Sequence, residues 1–303
     1  MPSLRDIKRR IKSIQNTQKI TQAMRMVAAA KVRRAESKVK ASRPFSNELV
    51  KSFQRLLATN PDVQSGNVQS SKALDNYPAL LSRRELKSVG LLIVSSDRGL
   101  AGAYNANVVR KAVARAKELE KDGINTKFFV VGLKGVSALK RAHVDITETY
   151  VRMPAVPTIG EANVIAEDLS EYYIKGDIDR IEIITTHFKS MLSFEVQLWQ
   201  LLPVLIPVES LNEEETRIRS EMIFEPSPEA VLQKIVPLYV TNRIYQALIE
   251  ASASELAARM SAMASATTNA GDMIRHLTIV YNKARQAAIT QEILEVVSGA
   301  EAL

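Results

Sequence analysis

The sequence predicts a protein of two parts, a long coiled coil built from the two ends of the chain and a small parallel α/β domain inserted between them. Two observations carry this reading. Residues 227–303 and 3–58 both read as helices longer than a globular domain of this size can bury, with apolar residues at heptad spacing. Between them, short apolar runs of strand length alternate with helical patterns.

The C-terminal run opens with Ser227-Pro228-Glu229, which supplies an N-cap hydroxyl, a proline at the first helical position and a carboxylate in the first turn. After Pro237 no proline follows, and from Leu238 to Ser298 the only glycine is Gly271, so nothing is written to stop the helix. Leu256, Met260, Met263, Thr267, Ala270, Ile274, Leu277, Tyr281, Ala284 and Ala288 alternate steps of four and three, the seam of a left-handed coiled coil. Such a helix would be roughly 110 Å long and the N-terminal one roughly 80 Å. A compact chain of this length has a radius of gyration of only about 19 Å. Much of the pair is therefore expected to project and to be enclosed by something else.

At the N-terminus, Ser3-Leu4-Arg5-Asp6 resembles a capping box, and Leu4, Ile7, Ile11 and Ile14 keep heptad spacing. The register then turns polar at Gln18, Thr21 and Arg25 while Ile20, Met24 and Val27 carry apolar bulk on a shifted face, which allows a change of neighbour there. The seam resumes at Ala28, Val32, Ala35 and Val39, and Pro44 is expected to disturb the helix because it lacks a backbone donor.

From Thr59 to about Ser82 the chain is rich in Asn, Ser, Gln, Asp and Pro and reads as a linker. Residues 89–95 form a nearly continuous apolar run, as expected of a strand covered on both faces. A helix over 105–121, a strand over Lys127–Val131, a short helix over Lys134–Ala142, a helix over Ile159–Lys175 and a third strand over Ile181–Thr186 follow. Phe194–Leu202 alternates apolar and polar residues and fits an antiparallel edge. A connector with Glu213-Glu214-Glu215, Arg217 and Arg219 leads back to the last helix. The expected division is 1–58, 59–87, 88–205, 206–226 and 227–303.

Charge is unevenly spread. The net formal charge is +8, yet residues 1–43 hold thirteen Lys or Arg against Asp6 and Glu36, so the basic character belongs to one helix. The absence of cysteine leaves no disulfide, thiolate metal site or thiol regulation. No apolar run approaches the roughly 20 residues needed to span a bilayer. A cytoplasmic protein, or a processed one from an equivalent compartment, is expected.

Chemistry is sparse. His143, His187 and His276 are dispersed, and none has metal-ligand spacing to another His or carboxylate on a helix face. Ser95-Ser96-Asp97-Arg98-Gly99-Leu100-Ala101-Gly102 lies between a buried strand and a helix, where open α/β sheets bind ligands, and is the best catalytic candidate. The phosphate-loop pattern is absent, however, and turn geometry alone explains two glycines there. Gly132-Leu-Lys-Gly135 is weaker still. The basic first helix fits phosphates, an acidic protein partner or plain solvation. It has no aromatic before Phe45 for base stacking and no zinc or helix-turn-helix pattern. Met24, Met26, Met260 and Met263 suit packing, or contacts that must adapt.

Both chain ends resemble the gamma-subunit family of F-type ATP synthases, the central rotor shaft. The N-terminal resemblance runs through Ile14-Gln-Asn-Thr-Gln-Lys-Ile-Thr-Gln-Ala-Met-Arg-Met-Val-Ala-Ala-Ala-Lys31 and Ser42-Arg-Pro44. The C-terminal one runs through Ala253-Ser-Glu-Leu-Ala-Ala-Arg-Met260 and Tyr281 to Glu301. Ser96-Asp-Arg-Gly-Leu100 and Phe224-Glu-Pro-Ser-Pro228 extend it to nearly the whole chain. Ala101 stands where many relatives carry cysteine, and the connector shows no counterpart of the chloroplast redox insert, so thiol activation is not expected.

The resemblance implies an α+α/β fold, a long antiparallel coiled coil of N- and C-terminal helices with an inserted small Rossmann-like α/β domain. It implies a non-catalytic central-stalk subunit of a proton-translocating ATP synthase, present as a single copy and without a cofactor, metal or nucleic acid. Its expected partners are the alpha and beta subunits, the epsilon subunit and the membrane c-ring. The expected place is peripheral, on the cytoplasmic face of a bacterial inner or thylakoid-type membrane. Carried over by position, the beta-subunit contact falls on Met24, Arg259, Arg285, Gln286, Thr290 and Glu292. An apolar bearing falls on Ile289, Ile293, Val296, Val297 and Ala300, and a contact with the c-ring or epsilon on Glu225. Two competing readings make different demands. A hydrolytic or ligand-binding α/β enzyme would use the Asp97 loop, and a basic nucleic-acid binder would use the first helix.

Overall fold

The computed structural model describes residues 3–58, 79–82, 84–204, 225 and 228–301. The expected cap Ser227, the acidic connector and residues 59–78 of the linker lie outside them. Two compact units are present, residues Met1–Ala30 with Arg259–Leu303, and residues Lys31–Ala258.

The first unit is a pair of helices, the start of α1 (Leu4–Ala58) and the end of α5 (Pro228–Glu301). Ser3 opens α1: the Asp6 N–H donates to the Ser3 hydroxyl at 3.2 Å, and that hydroxyl lies 2.7 Å from the Asp6 carboxylate. The helices are antiparallel. Thr21 meets Thr267, and one turn earlier on α1 Gln18 lies beside Gly271, one turn later on α5. Ile7, Thr21 and Ala28 are buried in this seam with Met263 and Ala270. Leu4, Ile11, Ile14 and Gln18 are half-buried, as are Thr267, Ile274, Leu277, Tyr281, Ala284 and Ala288.

The polar stretch of α1 keeps its place against α5. Gln18 and Thr21 stay in the seam because Thr267 answers them with hydrogen bonds, while Ile20, Met26 and Val27 are exposed. Arg25 turns to solvent and Met24 is half-buried.

The second unit holds a five-stranded sheet in the order β3-β2-β1-β4-β5. Strands β1 (Ser88–Val94), β2 (Asn125–Val131), β3 (Glu148–Tyr150) and β4 (Arg180–Ser190) are parallel, and β5 (Ser193–Leu202) runs antiparallel beside β4 as its edge. The crossovers are α2 (Tyr104–Lys121), α3 (Leu133–Arg141) and α4 (Ile159–Ile174). Strand β4 is longer than its apolar run, because pairing with β5 extends it to Ser190. The short β3 has no apolar run of its own and is held by pairing with β2 from Phe129 to Val131.

Period-two alternation divides the central strands between two cores. Leu92, Val94, Phe129 and Val131 face α4 and the first part of α5, where Leu232, Val236, Val240, Ile244 and Ala247 are buried. Leu91, Ile93, Phe128 and Val130 face α2 and α3. Covering both faces explains why β1 reads as an unbroken apolar run.

Within this unit α1 packs on α5 through small residues: Val32, Ala35 and Val39 cluster with Ile249, Ala253, Leu256 and Ala257. Helical structure continues through Pro44 and Pro237, both at exposed positions.

Candidate functional site

The loop after β1 is the place where an α/β enzyme would bind its ligand. Here the protein fills that place itself. One Asp97 carboxylate oxygen accepts the Leu133 N–H at the start of α3 at 2.9 Å, and the other accepts the Met153 N–H at 2.8 Å. One donor at that helix N-terminus, the Leu133 N–H, is therefore occupied by a side chain of the chain itself. Ser95 donates to the Val131 carbonyl at 2.6 Å, and its hydroxyl accepts the Gly135 N–H at 2.9 Å. A Cβ at Gly132, which sits at a φ of 93°, would lie 2.6 Å from the Ser95 carbonyl oxygen. Gly132, before α3, and Gly135, in its first turn, thus both serve close packing against Ser95. Tyr104, at the start of α2, is buried and donates to the Ala251 carbonyl at 3.2 Å; burial pushes its hydroxyl far above the ordinary value, so it stays neutral.

The histidines do not converge. His143 lies in the turn after α3 at a φ of 56°, His276 is exposed on α5, and His187 on β4 pairs with Glu250. Among the described residues no group of three or more His, Cys, Asp or Glu could hold a metal ion.

The residues singled out on the helical pair divide into separate stations. Met24 and Arg259 are half-buried. About 40 Å of helix separates Arg259 from Gln286, so the six positions form no single pocket. Arg285, Gln286, Thr290 and Glu292 are exposed around two successive turns, where the Thr290 hydroxyl donates back to the Gln286 carbonyl at 2.9 Å. Beside them Ile289, Ile293, Val296, Val297 and Ala300 are all exposed, Val296 by 72%. These five apolar side chains thus lie open to solvent at the end of α5. Glu225 is exposed as well.

A family model described as ATP synthase matches residues 3–303. The chain belongs to the ATP synthase gamma-chain family. A gamma chain of Synechococcus elongatus is 44% identical over 325 aligned positions, which cover all of this chain and 99% of that one. A gamma chain of Trichormus variabilis is 43% identical, with both chains fully covered. Among solved structures, a chain of the Tetrahymena thermophila mitochondrial ATP synthase central stalk and c-ring matches with a TM-score of 0.61 and 29% identity. That match covers 82% of this chain and 99% of that one. A chain of the Euglena gracilis mitochondrial enzyme matches with a TM-score of 0.67 over 99% of this chain and 94% of that one; at 17% identity it speaks for the fold. As a gamma chain, this protein is a non-catalytic part of the ATP synthase and belongs to its peripheral F1 sector. No helix among the described residues is long and apolar enough to cross a membrane.

Sequence reasoning passed over one cluster, formed by Arg43, His187 and Glu250. Its signal was present, since Glu250 is the only charged residue between Arg243 and Glu255.

Proposed function

We propose that this gamma chain is the central shaft of a proton-translocating ATP synthase and couples rotation of the membrane c-ring to ATP synthesis or hydrolysis in the beta subunits. The observation that carries the reading is the exposed apolar end of α5 on a chain whose relatives are gamma chains over its full length. Aliphatic side chains left in water are stabilised by transfer to an apolar sleeve, at about 25 cal/mol per Å² buried. A ring of alpha and beta subunits supplies such a sleeve.

The parts have separate tasks in this reading. Residues 1–58 and 227–303 form the axle, and residues 88–205, reached through 59–87 and 206–226, form the domain that meets epsilon and the c-ring, with Glu225 toward the c-ring. Met24, Arg259, Arg285, Gln286, Thr290 and Glu292 contact beta-subunit loops, and Ile289, Ile293, Val296, Val297 and Ala300 turn in the sleeve. The shaft does no chemistry. Its unequal faces favour a different conformation in each beta subunit, and rotation passes that preference around the ring; coupling requires such a differential interaction. The complex is placed on the cytoplasmic face of a bacterial inner or thylakoid-type membrane.

A pull-down with identification of partners tests the reading. One copy of this chain per ring of alpha and beta subunits is expected, together with epsilon and c subunits. Recovery of a monomer that never joins such a ring would overturn it.

A further inference from the structure

Glu250 is fully buried in α5, with 0% of its side chain exposed. One carboxylate oxygen lies 2.5 Å from His187 Nδ1 and accepts the Phe188 N–H at 3.2 Å. The other accepts from Gln246 Nε2 at 3.3 Å and stands 3.5 Å from Arg43 Nη2. Arg43 Nη2 also donates to the Phe188 carbonyl at 3.1 Å. One carboxylate thereby joins three elements of this unit: α5, the far half of β4, and α1 through Arg43.

The packing around it explains why such a joint matters. Phe188 sits among Val32, Ala35, Val39, Ile249, Ala253, Leu256 and Ala257, which are mostly small and smooth. Apolar contact of this kind resists separation but has no direction, so it opposes sliding weakly. Hydrogen bonds to a buried charge are directional and strengthened by the low local dielectric. A buried ion pair is a poor source of net stability, and its best-attested use is to fix one arrangement among several. Among the described residues, Arg115 bonds to the buried Glu182 through both carboxylate oxygens and ties α2 to β4.

We propose that Glu250 is the positioning residue of the joint that fixes the α/β sheet in angle against the parts of α1 and α5 that belong to this same unit. The proposal rests on the shaft reading above. Torque delivered to the sheet is shared between its core with α5, the bonds from Tyr104 to the Ala251 carbonyl and from Thr185 to the Ala247 carbonyl, and the Glu250 cluster, which alone among these also holds α1 in angle through Arg43.

The test uses the full chain assembled with alpha and beta subunits. Because the chain has no cysteine, Lys111→Cys on the exposed face of α2 gives one attachment point for a biotin-linked bead. The angular spread of the bead is read with hydrolysis arrested. Glu250→Gln is expected to widen that spread severalfold. Arg43→Met, which leaves Glu250 with His187 and the Phe188 N–H, should widen it less. A purely structural role would lower the melting temperature without changing the spread of complexes that assemble. An unchanged spread in assembled Glu250→Gln complexes, or failure of both variants to assemble, overturns the proposal. If the bead on the Lys111→Cys chain with Glu250 intact never rotates on ATP, the shaft reading itself fails.

Discussion

Thr21 and Thr267 hold their hydroxyl oxygens 2.8 Å apart across the antiparallel terminal helices. Each hydroxyl also has a carbonyl of its own helix within reach, Thr21 that of Gln18 at 3.0 Å and Thr267 that of Met263 at 2.8 Å, so one hydroxyl donates across the pair while the other donates into its own helix. Gln18 completes the contact by reaching the Thr267 carbonyl at 3.4 Å. Gly271 leaves room for it, since a Cβ there would lie 3.1 Å from Gln18 Nε2.

Gly271→Ala sets helix propensity against that contact. The substitution favours the helix by about 1 kcal/mol, and the atom in the way is the far end of a flexible amide. Gly271→Ala is therefore expected to raise the urea midpoint of the full chain followed by circular dichroism. A lowered midpoint would mean that Gln18 is fixed where it lies.

Asp97 caps two backbone donors, the N–H groups of Leu133 and Met153. Asp97→Ala should destabilise the chain by about 2 kcal/mol, the cost of unpaired N–H groups, measured by denaturant unfolding. The unsubstituted chain, titrated with ATP or inorganic phosphate in a calorimeter, should release no heat at this loop. Saturable binding lost on Asp97→Ala would revive the enzymatic reading.

The capping box of α4 gives a pH dependence with a definite sign. The Thr158 hydroxyl and N–H bond to Glu161 and hold its carboxyl below the ordinary value of 4.5. A carboxyl depressed in the folded state adds stability that is complete above its unfolded value and is lost as the pH falls through its folded one. The stability difference between the unsubstituted chain and Glu161→Gln should be largest at neutral pH and shrink below the ordinary glutamate range. A difference that grows on acidification would contradict the assignment.

The architecture was legible because its periods are long and unambiguous. Ten seam positions from Leu256 to Ala288 are all buried or half-buried, and β1, covered on both faces, reads as a plain apolar run. The polar seam at Gln18 and Thr21 was not legible, since its partner Thr267 lies at the other end of the sequence and only folding brings them together. Strand β3 was missed for a related reason: Glu148-Thr149-Tyr150 has no period of its own and exists by pairing with β2. The exposed apolar tip could be read residue by residue from the family resemblance. Glu250 stood out only as a lone charge between Arg243 and Glu255, and its partners become visible only once β4 and α1 lie beside it.

The central claim is that the chain turns as an axle in machinery it does not contain, and ATP-driven proton pumping by reconstituted membranes tests it most directly. Complexes built with the full chain should pump, and complexes built with a chain ending before residue 280, which lacks the exposed apolar tip, should lose proton-coupled activity. Equal pumping by the two, or ATP hydrolysis by the isolated chain at the rate of the complex, would contradict the account.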